Sequence, residues 1–286
     1  MSNKIKADLE LNIECFNLKY TLECGQCFRW KKIDVNEYIG VIQDRVIRIK
    51  QQGKCVYVWS NKKENLKEVV FHYFDFNTDY SVIEKNIAKI DKNIEESLKY
   101  SSGIHILNQP LFETIISYII SANNNIKRIS RSVNDISKRF GKELEFEGEK
   151  YYLFPTLEEL KDVTIDELLN DGTGFRARYI KKDIEYFLEN DNFLEELKCM
   201  DTEQATKALS SLMGIGPKVA DCIMLFALGK GEVFPVDVWV KRIMEKLYFK
   251  ENTNLKEIKK YANEKFGDYA GIVQQHLFHN VREGNI

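Results

Sequence analysis

The sequence predicts an α+β protein: an N-terminal domain built on an antiparallel β-sheet, followed by a mostly α-helical domain. Three observations predict it. Residues from Leu9 to about Ser60 alternate apolar and polar in short runs, whereas from Lys63 onward apolar residues recur at helical spacing. The four prolines, Pro110, Pro155, Pro217 and Pro235, all stand at element starts or turns. A chain of 286 residues with 44% hydrophobic content can fill one large or two ordinary cores, and no repeat or low-complexity linker interrupts it.

Taken in order, Tyr38, Gly40 and Ile42 mark one strand, Val46 to Lys50 a second, and Tyr57 to Trp59 a third. In the second, Ile47 and Ile49 would face a core while Arg48 and Lys50 face water, so the sheet is expected to be half buried. Val82, Ile83, Ile87, Ile90, Ile94 and Leu98 then form one amphipathic helical face, and Leu111, Ile115, Ile116 and Ile119 another. Helices are expected to begin near Pro110, Asn125, Thr156, Arg176, Thr202, Pro217, Val238 and Asn254. A C-terminal helix near Ala270 to Val281 is a candidate to pack back on the first domain. The expected boundaries are 1–105 and 106–286, with a helical hairpin at about 205–225.

Composition excludes some classes. No apolar run approaches the roughly 20 residues needed to cross a bilayer, and polar Met1 to Lys6 lacks a signal-peptide core. The expectation is a soluble intracellular protein, cytoplasmic or nuclear, with no membrane partner. Six scattered cysteines should then be reduced thiols. Cys24 and Cys27 have metal or redox spacing, but no second pair and no histidine lie nearby, so no metal site is expected. A net charge of −2 argues against bulk electrostatic binding of DNA, although Lys127, Arg128 and Arg131, or Arg176, Arg178, Lys181 and Lys182, could form a basic face.

The most informative stretch is Leu212-Met213-Gly214-Ile215-Gly216-Pro217-Lys218. It closes a turn with Gly214 and Gly216 and opens an apolar helix with a lysine; nineteen residues later Phe234-Pro235-Val236-Asp237 opens the next helix. Bare glycine backbone at a helix mouth lets several N–H groups point at one anion, and the helix dipole adds to the attraction. Singly, a Gly-x-Gly turn is ordinary punctuation and Asp237 an ordinary N-cap. In this order and spacing they form a phosphate seat with a lysine and a carboxylate beside it.

These residues resemble the helix-hairpin-helix (HhH-GPD) DNA glycosylases, and within them the 8-oxoguanine DNA glycosylase/lyase branch, over about Leu9 to Phe278. The resemblance implies a TBP-like N-terminal sheet, an HhH-GPD helical domain, and double-stranded DNA containing 8-oxoguanine as the partner of a monomer. It implies Lys218 as the amine nucleophile and Asp237 as the catalytic carboxylate. Ser121 to Arg128 resembles the family's Asn-Asn-Asn-Ile segment, which implies that Asn123 fills the place of the extruded base and that Arg128 reads the orphaned cytosine. Arg176 would be the second cytosine reader. Phe175 stands where a wedging tyrosine is usual, and Trp239 where eukaryotic relatives have a histidine.

The same resemblance assigns the base pocket to Gly25, Cys222, Gln274 and Phe278. Spacing agrees, since Lys218 and Cys222, like Gln274 and Phe278, are four apart on one helix face. Gly25 would offer the carbonyl that senses the extra ring N–H of 8-oxoguanine. Relatives with an iron-sulfur cluster carry four cysteines after the aspartate; this chain has none after Cys222, and no cofactor is expected for an amine nucleophile. The amine needs a pKa below the usual ~10.4, and a helix N-terminus, partial burial and basic surroundings are expected to lower it. Two alternatives stay open: a glycosylase for another damaged base, and a non-catalytic hairpin module.

Overall fold

The computed structural model describes residues 6–284; Met1 to Ile5 of the polar N-terminus and the last two residues lie outside them. A five-stranded antiparallel sheet opens the chain, formed by β1 (Leu9–Asn12), β2 (Lys31–Asp34), β3 (Glu37–Ile42), β4 (Arg45–Gln52) and β5 (Cys55–Ser60) in the order β1-β5-β4-β3-β2. Alternation places Tyr38, Ile42, Ile47, Ile49, Val56 and Val58 on one face, against Phe16, Leu22, Leu66, Val70 and Phe74. β1 and β2 carry little sequence signal because they are short edges, and β2 is exposed throughout.

The sheet is not half buried as expected. A second hairpin, β6 (Glu143–Phe146) and β7 (Glu149–Tyr152), turns at Glu147 and Gly148, both with positive φ, and lays Phe146, Leu144 and Tyr151 over Ile39, Val41 and Val46. Arg48 therefore stacks on Trp59 with 4.2 Å to the ring centroid and pairs with Glu147 at 3.0 Å instead of facing open water.

The helical segment that follows contributes most of the 54% helix content. Two expectations are corrected. The face from Val82 to Leu98 is two helices, Tyr80–Ala88 and Lys92–Ser101, because the Asp91 carboxylate accepts the N–H groups of Asn93 and Ile94 and starts a new helix. Thr156 opens only a three-residue 3-10 turn, Glu158–Leu160, and the helix Ile165–Asn170 starts at a Thr164/Glu167 capping box. The C-terminal helix Ala270–Glu283 packs on Lys92–Ser101, where His276 Nδ1 meets Ser101 Oγ at 2.9 Å and Asn280 donates to Ser97 O at 2.9 Å. Burial pushes the His276 ring down to about 3, so this inter-helix contact is made by a neutral imidazole. Among the described residues no helix is long and apolar enough to cross a membrane.

Candidate active site

The hairpin joins helix Thr202–Ser210 to helix Pro217–Ala227. Gly214 has φ +83°, and a Cβ there would stand 2.6 Å from Tyr179 Cδ2, so both backbone and space require glycine. Met213 N–H donates to Asp183 Oδ1 at 2.8 Å, which ties the turn to the helix Ala177–Glu189. Gly216 is the N-cap of the next helix, with no side chain capping it, and a Cβ there would meet nothing within 4 Å. The first-turn N–H groups are thus left open toward an approaching anion.

One turn of that helix carries Lys218, Asp221 and Cys222. Lys218 Nζ lies 5.4 Å from the centroid of the Tyr118 ring and reaches the Cys222 thiol. Burial pushes that thiol up to about 11, so it stays protonated and is no rival nucleophile at neutral pH. The buried Asp221 carboxylate interacts with the Lys218 charge and is itself paired to Lys259 at 2.6 Å. Asp237 caps Val238–Tyr248, with Oδ1 accepting both Trp239 N–H at 2.9 Å and Val240 N–H at 2.8 Å. Its Oδ2 is left for the pocket.

Lys218, Asp237, Gly25, Cys222, Gln274 and Phe278 all line one cavity of about 40 Å³. They come from four separate stretches of chain, and nothing local in the sequence puts them together. Phe278 closes against Gly25, whose φ is +88° and where a Cβ would lie 3.5 Å from the Phe278 ring. Sequence reasoning missed Tyr118 and Gln275, which line the same cavity. Tyr118 carried a signal, as the single phenol in the apolar helix Leu111–Ser121; Gln275 carried none.

The asparagine segment links helices Leu111–Ser121 and Ile126–Phe140. Asn123 is exposed in the left-handed region at φ +51°, and Asn125 caps the second helix by accepting Arg128 N–H at 3.0 Å. Arg128 is exposed. Arg176 is only 5% exposed, and its guanidinium donates to the carbonyls of Ala122 (Nε, 2.8 Å), Thr173 (3.1 Å) and Asn123 (3.0 Å). Phe175 is 56% exposed, stacked over that guanidinium at 4.3 Å. The second basic candidate therefore presents fewer free charges than its sequence implied, since Lys181 also pairs with Glu185.

Residues 8–115 match the family described as 8-oxoguanine DNA glycosylase, N-terminal domain, and residues 116–267 match the HhH-GPD superfamily base excision DNA repair proteins. The chain belongs to the HhH-GPD superfamily. It is 33% identical over 248 residues to a probable N-glycosylase/DNA lyase of Methanothermobacter thermautotrophicus, covering 78% of this chain and 77% of that one. The N-glycosylase/DNA lyase of Saccharomyces cerevisiae is 30% identical, over 94% of this chain and 84% of its own. Among solved structures, the Clostridium acetobutylicum 8-oxoguanine glycosylase/lyase, in complex with duplex DNA containing cytosine opposite 8-oxoguanine, superposes with a TM-score of 0.91 at 37% identity, over 99% of this chain and 100% of that one.

Proposed function

We infer that this chain is a base excision repair DNA glycosylase with lyase activity, excising 8-oxoguanine from duplex DNA. The observation that carries the reading is the convergence of Lys218 and Asp237 on one cavity with Gly25, Cys222, Gln274 and Phe278. A non-catalytic hairpin module has no use for that pair. The family names of the relatives point the same way. The site is complete within one chain, and we take the working unit to be a monomer.

The hairpin backbone at Gly214 and Gly216 grips a phosphate, Asn123 and Phe175 occupy the opened stack, and Arg128 offers its guanidinium fork to the acceptor edge of the orphaned cytosine. At about 40 Å³ the resting cavity is too small for a purine, so admitting a base requires Phe278 to move off Gly25. Lys218, as free amine, attacks C1′ of the deoxyribose: the Nζ–C1′ bond forms, the C1′–N9 bond breaks, and the base leaves with the bonding electrons and then takes a proton. Opening of the sugar ring gives the Schiff base, and loss of a C2′ proton then expels the 3′ phosphate. Asp237 Oδ2 stabilises the positive charge that develops on the sugar while Oδ1 keeps its helix cap.

Borohydride trapping on a duplex with one 8-oxoguanine opposite cytosine tests this. A covalent adduct that disappears in Lys218→Gln is the expected result. Trapping that persists in Lys218→Gln removes the nucleophile assignment, and trapping on an abasic duplex alone removes the lesion assignment.

A further inference from the structure

Gln275 is 4% exposed and lies beside Gln274 on the pocket wall, where its Nε2 donates to Gln274 Oε1 at 2.6 Å. Its own Oε1 is buried without any hydrogen-bond partner. A sealed, unpaired amide oxygen destabilises the resting fold, and an aliphatic side chain would fill the same space without that cost. The helix cannot simply rotate this group to water, because His276 and Asn280, next along it, are held by Ser101 and Ser97. Gln275 itself lines the cavity shared with Lys218.

We propose that Gln275 is a specificity-determining residue of the base pocket: its Nε2 fixes the Gln274 amide, and its Oε1 accepts an N–H from the Watson–Crick edge of the extruded base. Gln274 Oε1 keeps one lone pair after accepting from Gln275, so the two side chains present two neighbouring acceptors. A guanine-type edge brings two neighbouring donors, N1–H and the 2-amino group. An adenine-type edge brings an acceptor at N1 and only a C–H at position 2, so neither oxygen gains an N–H donor. The pair therefore selects oxidised guanine by its ordinary edge, separately from the Gly25 carbonyl, which would sense the oxidation itself.

This rests on the glycosylase reading above, and the test separates the two. Single-turnover excision of 8-oxoguanine and of 8-oxohypoxanthine, which lacks the 2-amino group, is measured opposite cytosine for the full chain and for Gln275→Leu, beside cleavage of a preformed abasic duplex. Expected are about tenfold slower excision of 8-oxoguanine by Gln275→Leu, a similar loss for the unaltered protein on 8-oxohypoxanthine, and a combined loss well short of the product of the two. Abasic cleavage and thermal stability stay at or above the unaltered level. Excision by Gln275→Leu at full speed, additive losses, or equal loss of abasic cleavage in both Gln275→Leu and Gln275→Met would each overturn the proposal. If the unaltered protein cleaves abasic DNA but ignores 8-oxoguanine, it is the lesion assignment that fails.

Discussion

Arg176 donates to the carbonyl of Asn123 at 3.0 Å from a position 53 residues further along the chain. With Ala122 and Thr173 also accepting from it, this guanidinium holds the asparagine loop in its left-handed turn. The bonded Arg176 guanidinium is tied to the loop backbone, whereas Arg128 is exposed. Arg176→Gln is expected to slow excision to a similar degree opposite cytosine, adenine and guanine, while Arg128→Gln narrows the cytosine preference. A panel of opposite bases decides it, and a selective loss of cytosine preference in Arg176→Gln would return that residue to base reading.

The two hairpin glycines should separate stability from binding. Gly214→Ala must hold a Cβ at positive φ against Tyr179 and is expected to destabilise the fold by about 1–3 kcal/mol in urea unfolding. Gly216→Ala meets nothing, so its stability should change by less than about 1 kcal/mol. Its new methyl group stands where a phosphate approaches, and affinity for duplex DNA should fall. Equal binding by Gly216→Ala and the unaltered protein would remove the hairpin as the phosphate seat.

Burial pushes the Asp183 carboxyl up to about 7, against the opposing Met213 N–H. The folded state then holds this proton more tightly than the unfolded chain, with its pKa of ~3.9, so the contribution is full below about pH 4 and is lost as pH rises through 7. Asp183→Asn keeps an acceptor for Met213 and has no charge to bury. Its stability relative to the unaltered protein should rise from pH 4 to pH 8, measured by thermal melts, and a flat difference would contradict the assignment.

Lys259 neutralises Asp221, whose side chain is 3% exposed one turn from Lys218. Lys259→Gln leaves a buried carboxylate and is expected to cost roughly 1–3 kcal/mol, discounted because Lys259 itself is partly in water. Adding Asp221→Asn should recover most of that loss in a double-mutant cycle. Strictly additive losses would mean the pair carries no coupling.

The sequence by itself determined what depends on near neighbours in the chain. Alternation located β3, β4 and β5, the glycines and proline placed the hairpin, and Asp237 announced its own helix. Lys218 and Asp237 were legible because each belongs to a short pattern with a local backbone reason. Only the tertiary structure decided which residues meet. β6 and β7 cover the sheet from far along the chain, so Arg48 found Glu147 where alternation put it in water. Arg176 looked like a free cation until the fold set three backbone carbonyls around it, and Gln275 looked like any helical glutamine until burial left its oxygen unpaired on the wall of the cavity that Lys218 also lines. Periodicity records which face of an element is apolar; it carries no record of which distant element will cover that face, and hydrogen bonds between such elements follow from the packing alone.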